Sequence, residues 1–198
     1  MIFPIPLLGK DVLAVEYPPF TTINKNNYGL SFELLAEAFP EQKFTPEFLP
    51  PKRALKRISN GDWCLSFYPA THISTFEIIK LSVNKVKIGL IKKRDIGDFT
   101  WERLEEMSGA SVALLRSSYK SVFVKQFTNA NLKVIYVESI KQGVELVKKG
   151  RVKFSMFDNY NYENLSKSDK EQLQFSDTYL IETPILLFVN PDCDMQLK

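Results

Sequence analysis

The sequence predicts a two-lobed α/β protein with mixed, mostly parallel sheets, and two observations support this. One pattern occurs twice, at residues 54–68 and 143–158: an amphipathic helix, a glycine, and an apolar strand that ends in aromatic and polar residues. Gly61 and Gly150 stand where a helix commonly ends, because glycine enters the left-handed region without a Cβ penalty. Strands also alternate with helices, which favours parallel sheets. Two similar lobes predict a cleft, and a cleft predicts a ligand.

The first half of the chain predicts strands and helices in alternation. Phe32, Leu35 and Phe39 recur on one helical face. Pro51 fits the first turn of the next helix, because its missing N–H is not needed there. The predicted strands lie at residues 11–16, 44–48 and 62–67, with one helix at residues 31–39 and a second that ends at Gly61.

The second half continues this alternation. Thr100 is predicted to be the N-cap of a helix that carries Trp101. Ser139 and Gln142 have the spacing of a capping box, for a helix that ends at Gly150. The remaining predictions are strands at residues 86–91, 112–115, 132–137, 154–157 and 185–189, a helix at residues 120–127, and a polar region at residues 159–174.

The chain is expected to cross between the lobes twice, near residues 86–91 and 179–188. The predicted domains are therefore residues 1–88 with 183–198 for the first lobe, and residues 89–182 for the second. A first lobe that is discontinuous in sequence is suited to hinge closure.

Composition excludes some classes of function. The 198 residues carry a net charge of +3 from 26 basic and 23 acidic side chains. Nucleic-acid binding needs a dense basic face, and the lysines here are scattered, so no nucleic-acid partner is expected. No run approaches the ~18 apolar residues of a membrane span. The apolar start lacks a basic region and a cleavage site, so either the protein is cytoplasmic or a targeting segment has been removed.

Several short motifs occur in an order that resembles a known family. They are Tyr17-Pro18-Pro19-Phe20, residues 29–35, Pro50-Pro51-Lys52-Arg53-Ala54-Leu55, Gly61-Asp62, Leu81-Ser82, Trp101-x-x-Leu104, Gly109-x-x-Val112, Gly150-Arg151-Val152 and Asp158. In this order they resemble the extracytoplasmic solute-binding proteins of family 3, the amino-acid receptors of ABC transporters. The resemblance implies the type 2 periplasmic-binding-protein fold, a monomer, a periplasmic or extracytoplasmic location, a small-molecule ligand, an ABC permease as partner, and no cofactor.

The sequence departs from this family in two places. An arginine of the receptors holds the ligand's carboxylate bidentately, whereas residues 74–76 here contain none and the nearest basic side chain is His72. Family members also continue through one or two further helices, whereas this chain stops at Lys198. We therefore expect a divergent member or a trimmed chain.

In this fold ligands lie near the carboxyl ends of the strands, where helix N-termini point towards anions. Tyr17 and Phe20 could stack on a ligand, or Phe20 could pack in the core. Asp158 resembles the family's acidic residue that receives an ammonium group, or it could cap the following turn. The candidate ligand-binding residues are Tyr17, Phe20, Arg53, Tyr68, Thr71, Ser117, Ser118 and Asp158.

Each remaining candidate also has a simpler structural interpretation. Arg53 could bind an anionic group or be a solvated arginine. Tyr68 and Thr71 could face the ligand or lie in a surface loop. The resemblance implies that Ser117 and Ser118 could hold a carboxylate, and Ser118 could equally be an N-cap.

The sequence gives little support for catalysis. His72 is the single histidine. Together with Asp158 it forms the one candidate pair for acid–base catalysis. No Gly-x-Ser-x-Gly elbow, phosphate-binding glycine loop or metal-ligand spacing is present, so we expect neither a metal nor an enzyme. A disulfide between Cys64 and Cys193 stays open. The alternatives are a sensor domain with a divergent pocket and a dehydratase-like enzyme on the same fold.

Overall fold

A computed structural model describes residues 10–70, 75–116 and 122–193. The chain divides into two compact units: Met1–Asn84 with Pro184–Lys198 (unit 1), and Lys85–Thr183 (unit 2). The domain limits predicted from the sequence, residues 1–88 with 183–198 and residues 89–182, stay a prediction.

Helices and strands alternate through most of both units. Unit 1 contains β1 (Lys10–Ala14), α1 (Leu30–Ala38), β2 (Phe44–Phe48), α2 (Pro51–Ser59), β3 (Leu65–Ser66) and parts of β4 (Glu77–Lys93) and β9 (Ile181–Val189). Unit 2 contains the rest of β4 and β9, a 3₁₀ helix (Leu104–Met107), β5 (Ser111–Leu115), α3 (Val122–Asn129), β6 (Lys133–Val137), α4 (Ile140–Lys148), β7 (Phe154–Asp158), α5 (Asn159–Glu163), α6 (Lys167–Gln172) and β8 (Leu173–Phe175).

The sheet of unit 1 has the order β2-β1-β3-β9. β1 pairs in parallel with both β2 and β3, and β9 is antiparallel to β3. Val12 stands opposite Pro46 on one side and Leu65 on the other. A proline is tolerated at Pro46 because β2 is the outer strand of this order, so its free side needs no ladder bond.

Alternate residues of β1 pack on opposite faces of this sheet, as the two-residue period of a strand requires. Val12 and Ala14 are fully buried in a cluster that includes Leu35 of α1. Leu13 packs in a second cluster with Ile58 of α2. Helices therefore cover both faces of the sheet, which is the layered arrangement of an α/β domain.

A disulfide joins the start of β3 to the C-terminal segment, which settles the pairing that the sequence left open. Cys64 and Cys193 are bonded, with their Cα atoms 5.6 Å apart. Asn190 strengthens the same junction, since its side-chain amide donates to the carbonyl oxygen of Trp63 at 2.9 Å. The backbone N–H of Cys193 donates to the carbonyl oxygen of Asn190 at 3.2 Å.

The sheet of unit 2 contains β4-β7-β5-β6, with β8 also paired to β4. β5, β6 and β7 are parallel, whereas β4 is antiparallel to β7 and β8. Its core joins Ile91 of β4, Ala113 of β5 and Phe157 of β7 to Val144 and Val147 of α4.

The second repeated helix begins and ends as its sequence predicts. The Ser139 hydroxyl, at the N-cap of α4, accepts from the backbone N–H of Gln142 at 3.2 Å. The Gln142 side chain accepts from the N–H of Glu138, not from that of Ser139. Gly61 and Gly150 follow the two repeated helices with φ of 80° and 68°, so both glycines have the left-handed conformation expected of them.

Two local predictions are wrong. No α-helix begins at Thr100; a short 3₁₀ helix starts four residues later, with Arg103 as its N-cap. The backbone N–H of Trp101 donates to the Thr178 hydroxyl at 3.1 Å, and the indole is buried beside Phe99. Tertiary contacts therefore override the local helix signal.

The second error concerns β3, which spans two residues instead of the predicted 62–67. The N–H of Asp62 still donates to the Arg57 carbonyl oxygen of α2, and the N–H of Trp63 donates to Gly61. Because these two backbone N–H groups bond to the end of α2 and to the turn that follows it, they do not pair with a neighbouring strand, and β3 begins only at Leu65.

Candidate functional site

The structure describes five of the eight residues predicted to bind a ligand. Tyr17, Phe20, Arg53 and Tyr68 belong to unit 1, and Asp158 belongs to unit 2. The other three predicted residues, Thr71, Ser117 and Ser118, lie outside the described residues, as does His72. The site assignments stay predictions.

The four unit 1 residues follow the carboxyl ends of three adjacent parallel strands. Tyr17 and Phe20 come after β1, Arg53 after β2, and Tyr68 after β3. Backbone bonds continue the pairing past the strand ends, since Leu49 and Phe67 donate to carbonyl oxygens of β1 at 2.9 Å and 2.8 Å. The carboxyl ends of parallel strands share one edge of the sheet, and ligands of open α/β sheets bind there.

A tight turn after β1 presents two aromatic rings at this edge. Tyr17 and Thr21 exchange backbone hydrogen bonds at 2.8 Å and 3.1 Å. The rings of Tyr17 and Phe20 stack with their centroids 5.7 Å apart and an interplanar angle of 14°. Phe20 is 6% exposed and Tyr17 is half-buried. The burial of Phe20 fits the core-packing alternative, and its role in stacking on a ligand stays a prediction.

Gly29 fixes this turn against the start of α1. Its φ is +97°, and a Cβ there would lie 2.6 Å from the carbonyl oxygens of both Pro19 and Phe20. Leu30 and Ser31 donate to those same oxygens at 3.1 Å and 2.9 Å. Close approach and positive φ together require glycine here. Gly29 begins the motif of residues 29–35, but its contact with the turn depends on tertiary geometry that the motif does not predict.

Tyr68 follows β3 and is anchored through its backbone. Its N–H donates to the hydroxyl oxygen of Ser66 at 3.0 Å, and that hydroxyl donates to the Tyr68 carbonyl oxygen at 2.8 Å. Burial raises the pKa of the Tyr68 phenol. The hydroxyl therefore stays protonated at neutral pH and can both donate and accept a hydrogen bond.

Arg53 lies in the first turn of α2 and is exposed, next to the exposed Lys52. Neither forms an ion pair with a residue that the structure describes. Arg57 of the same helix does, with Glu47 at 2.7 Å. The first turn of α2 holds no acidic residue.

Asp158 is the buried last residue of β7 and the N-cap of α5. Its Oδ1 accepts from the backbone N–H of Asn161 at 2.9 Å, and its Oδ2 accepts from the Asn161 side-chain amide at 2.7 Å. The structure thus shows the capping role that the sequence left as the alternative. The ligand-binding role stays a prediction.

A cavity in unit 2 is lined by Lys93, Arg94, Lys148, Glu171, Gln172 and Leu173. In the antiparallel pair of β4 and β7, Ile88 stands opposite Asp158 and Ile91 opposite Ser155. Lys93, two residues beyond Ile91, therefore lies beside the amino end of β7, away from the carboxyl end of that strand. Lys148 is already bonded to Asp169 at 2.7 Å. The cavity therefore lies away from the carboxyl end of β7, where a ligand of unit 2 would be expected.

Neither a metal-ligand cluster nor a membrane-spanning helix occurs in the described part of the chain. Within residues 10–70, 75–116 and 122–193, no group of three or more His, Cys, Asp or Glu side chains is placed to hold a metal ion. No helix among these residues has both the length and the apolar character of a membrane span.

Several solved structures have a similar fold. The GluR0 ligand-binding core from Nostoc punctiforme, in complex with L-glutamate, has a TM-score of 0.68 at 14% identity, over 92% of this chain and 85% of that one. An arginine transport system periplasmic binding protein from Legionella pneumophila has 0.66 at 18%, over 93% and 87%. The BvgS VFT2 domain of Bordetella pertussis, as a double mutant, has 0.65 at 12%, over 91% and 80%.

These similarities show the fold. The chain has the two-lobed α/β fold of type 2 periplasmic binding proteins, as the motif order predicts. No protein-family model matches the sequence, and no curated protein is similar to it in sequence.

Proposed function

We propose that this protein is an extracytoplasmic solute-binding protein that captures a small polar ligand, an amino acid or a related compound. Its two lobes close on the ligand by a hinge motion, and the protein delivers it to an ABC-type permease. The observation that carries the proposal is the fold, shared over more than nine-tenths of the chain with a ligand-binding core in complex with L-glutamate and with a periplasmic binding protein of an arginine transport system.

The edge of unit 1 supports the same proposal. Stacked aromatic rings, a protonated tyrosine hydroxyl and an exposed arginine follow three adjacent parallel strands. An aromatic surface with a few polar groups is typical of small-molecule sites. Micromolar affinity needs about 8 kcal/mol, within reach of several charge-assisted hydrogen bonds and one ring contact.

The disulfide supports an extracytoplasmic location. Such bonds persist in oxidising compartments and are rare in the cytosol. The Cys64–Cys193 pair closes a separation of 129 residues, and a loop of this size gives a large entropic stabilisation when it is cross-linked.

A second candidate is a ligand-sensing domain with a divergent pocket. Two of the similar structures, the GluR0 ligand-binding core and the BvgS VFT2 domain, are parts of larger proteins. This candidate predicts no tight small ligand, whereas the uptake receptor must have one. An enzymatic role has no support from the described side chains, and we propose a non-catalytic protein.

A thermal-shift screen tests the proposal. Amino acids, polyamines, small carboxylates and sugars are added separately to the purified chain. A ligand at 100 times its Kd should stabilise the protein by about 2.7 kcal/mol, and mass spectrometry should recover it unchanged. No shift with any compound would contradict the proposed receptor and favour the sensing domain, whereas a changed compound would indicate an enzyme.

A further inference from the structure

We infer that unit 2 carries a self-association surface at the outer edge of β6, which pairs with the same edge of a second copy of this chain about a twofold axis. β6 is the last strand in the order of unit 2. β5 pairs with one edge of β6, and no strand among the residues that the structure describes pairs with the other edge. Dimerisation at this edge is independent of the proposed function.

The hydrogen bonds of β6 show which of its residues point to the outer edge. The N–H of Lys133 and the carbonyl oxygen of Val137, at the two ends of the strand, both bond to the β5 side, at 2.8 Å and 2.9 Å. Backbone groups point to the two edges of a strand in alternation, so those of Ile135 also face β5. Val134 and Tyr136 therefore direct their N–H and C=O groups outward, as a template for another strand.

The outer strand of unit 1 is blocked at the position where β6 is open. In β2, the residues that point away from β1 are Phe44, Pro46 and Phe48, because the bonds to β1 involve the residues between them. Proline has no N–H to donate, so Pro46 interrupts the pairing of an added strand. β6 contains neither proline nor glycine, and Val134 and Tyr136 both keep their donors.

The side chains of β6 favour strand pairing. Val134, Ile135 and Tyr136 are β-branched or aromatic, the types that fit a pleated surface. Ile135 is 40% exposed, whereas Val137, the next residue on the same face, is buried in a cluster with residues of α4. Ile135 stays open because α4 packs chiefly on β7 and β5. A second strand beside β6 would cover it.

Two copies of β6 are complementary when they pair antiparallel about Ile135. Ile135 then stands opposite Ile135 of the second copy, and Val134 stands opposite Tyr136. These two residues point outward, so each Val134–Tyr136 pair exchanges two hydrogen bonds, as in the hydrogen-bonded pairs of any antiparallel ladder. Each pair also sets a β-branched side chain against an aromatic ring, which is a favourable cross-strand combination.

The charge of β6 does not oppose this pairing. A lysine on an outer strand commonly prevents edge pairing, and like charges directly opposite each other are destabilising. Lys133 is the first residue of β6, so it stands opposite Val137 of the second copy and not opposite another lysine. Hydrogen bonds, side chains and charge are thus all matched by an identical strand, which is why the partner is a second copy.

The expected dimer is weak. A pair of five-residue strands is smaller than a standard stable interface, which buries about 1,600 Å². The dimer should therefore form only as the protein concentration rises. The monomer that the family resemblance implies stays a prediction for dilute protein.

Sedimentation equilibrium without ligand, from micromolar to millimolar protein, tests the inference. Wild type should change from monomer to dimer across this range. Val134→Pro gives β6 the outward proline that β2 already has, and it removes two of the four hydrogen bonds between the copies. It should therefore raise the dissociation constant by about tenfold or more. Ile135→Lys places two like charges opposite each other and should act in the same direction.

Ile181→Lys is the matched control. Ile181 is also an exposed isoleucine in a strand of unit 2, at 38% exposure, and its strand, β9, does not neighbour β6. Its dissociation constant should stay within about twofold of wild type, as expected for a distant site. Val134→Thr keeps the backbone N–H and the β-branched shape, so this variant should still dimerise. Circular dichroism checks that each variant is folded.

Hydrogen exchange of the wild type, followed by NMR, identifies the edge without any substitution. The amides of Val134 and Tyr136 should exchange more slowly in concentrated than in dilute protein, because the second copy protects them. The amide of Ile135, which points to β5 in both states, is the internal reference.

Two results would overturn the inference. One is a wild type that stays monomeric at every concentration. The other is a dimer that Val134→Pro and Ile135→Lys leave unchanged while the amides of Val134 and Tyr136 gain no protection, because the two copies would then meet elsewhere. Neither result bears on ligand capture, which the thermal-shift screen tests separately.

Discussion

The two repeated segments of this chain differ most at the first turns of their helices. α4 begins at Ser139, whose hydroxyl accepts from the N–H of Gln142. α2 begins after Pro50, which supplies no side-chain cap, and carries Lys52 and Arg53 in its first turn. Neither first turn holds an acidic residue, and Lys141 of α4 corresponds to Lys52 of α2. The two helix starts therefore differ in the side-chain cap, which stabilises the start of α4 and is missing from that of α2.

The disulfide of the first repeat is expected to have the largest effect on stability. The strand segment of the first repeat is tied to Cys193 through Cys64, whereas the second repeat has no cysteine. The double variant Cys64→Ala, Cys193→Ala should lower the free energy of unfolding by about 2–5 kcal/mol. Denaturant unfolding measures this, with reduced wild type as the control. An unchanged midpoint would show that the disulfide does not stabilise the fold.

The next largest effect concerns a helix–strand contact in the second repeat. A Cβ on Gly143 of α4 would lie 2.2 Å from Oγ of Ser155 in β7, whereas Ala54 stands at the matching position of α2. Gly143→Ala should cost about 1–3 kcal/mol through overpacking, despite the better helix propensity of alanine.

Adding Ser155→Gly to Gly143→Ala should recover part of this loss, because it removes the opposing hydroxyl. Chemical denaturation of both single variants and the double variant measures the coupling. Additive losses would mean that the two residues do not oppose each other as described.

A smaller effect is expected at the α4 cap. Ser139→Ala should lower the free energy of unfolding by about 1 kcal/mol, since it leaves a first-turn N–H without its acceptor. Ser59→Ala at the end of α2 is the control: Ser59 is an exposed helical serine whose hydroxyl donates to Leu55, and a change within about 0.5 kcal/mol is expected. Equal losses would contradict a specific capping role.

The smallest effect is electrostatic and depends on pH. Lys148 in the last turn of α4 donates to Asp169 at 2.7 Å. This hydrogen bond lowers the pKa of the Asp169 carboxyl below its ordinary value of 3.8. A lowered carboxyl pKa means that stabilisation is present above pH 3.8 and is lost as the pH falls through the folded-state pKa.

Wild type should therefore be slightly more stable than Asp169→Asn near neutral pH, and the two should converge in acid. Thermal unfolding from pH 7 to pH 3 provides the comparison, with Asp177→Asn as an exposed-carboxylate control. A gap that persists in acid would exclude the ion pair as its cause.

The helix–glycine–strand pattern predicted much of this fold, because glycine caps and apolar periodicity are local signals. Gly61 and Gly150 adopt the expected conformation, and β2 has the predicted bounds. The predicted helix start at Thr100 was wrong because the hydroxyl of Thr178, far away in sequence, accepts a hydrogen bond from the N–H of Trp101. The disulfide could not be decided for the same reason, since it depends on geometry across 129 residues.

The candidate site was harder to predict than the fold. Tyr17, Phe20, Arg53 and Tyr68 could be placed after strands because motif order locates strand ends. Whether an exposed charge such as that of Arg53 has a partner depends on tertiary neighbours, so the sequence alone does not decide between a binding and a solvated arginine. The capping bonds of Asp158 were foreseeable only as an alternative.

The Gly29 contact has a consequence for binding affinity. Leu30 and Ser31 hold the Tyr17–Phe20 turn from one side, and the bonds between Tyr17 and Thr21 close it. Under the proposed function, the two rings are therefore held in place before a ligand binds. Immobilising a mobile side chain on association costs about 0.5–1.5 kcal/mol of conformational entropy. The ring of Phe20 is already buried in the folded protein, so binding would not have to immobilise it.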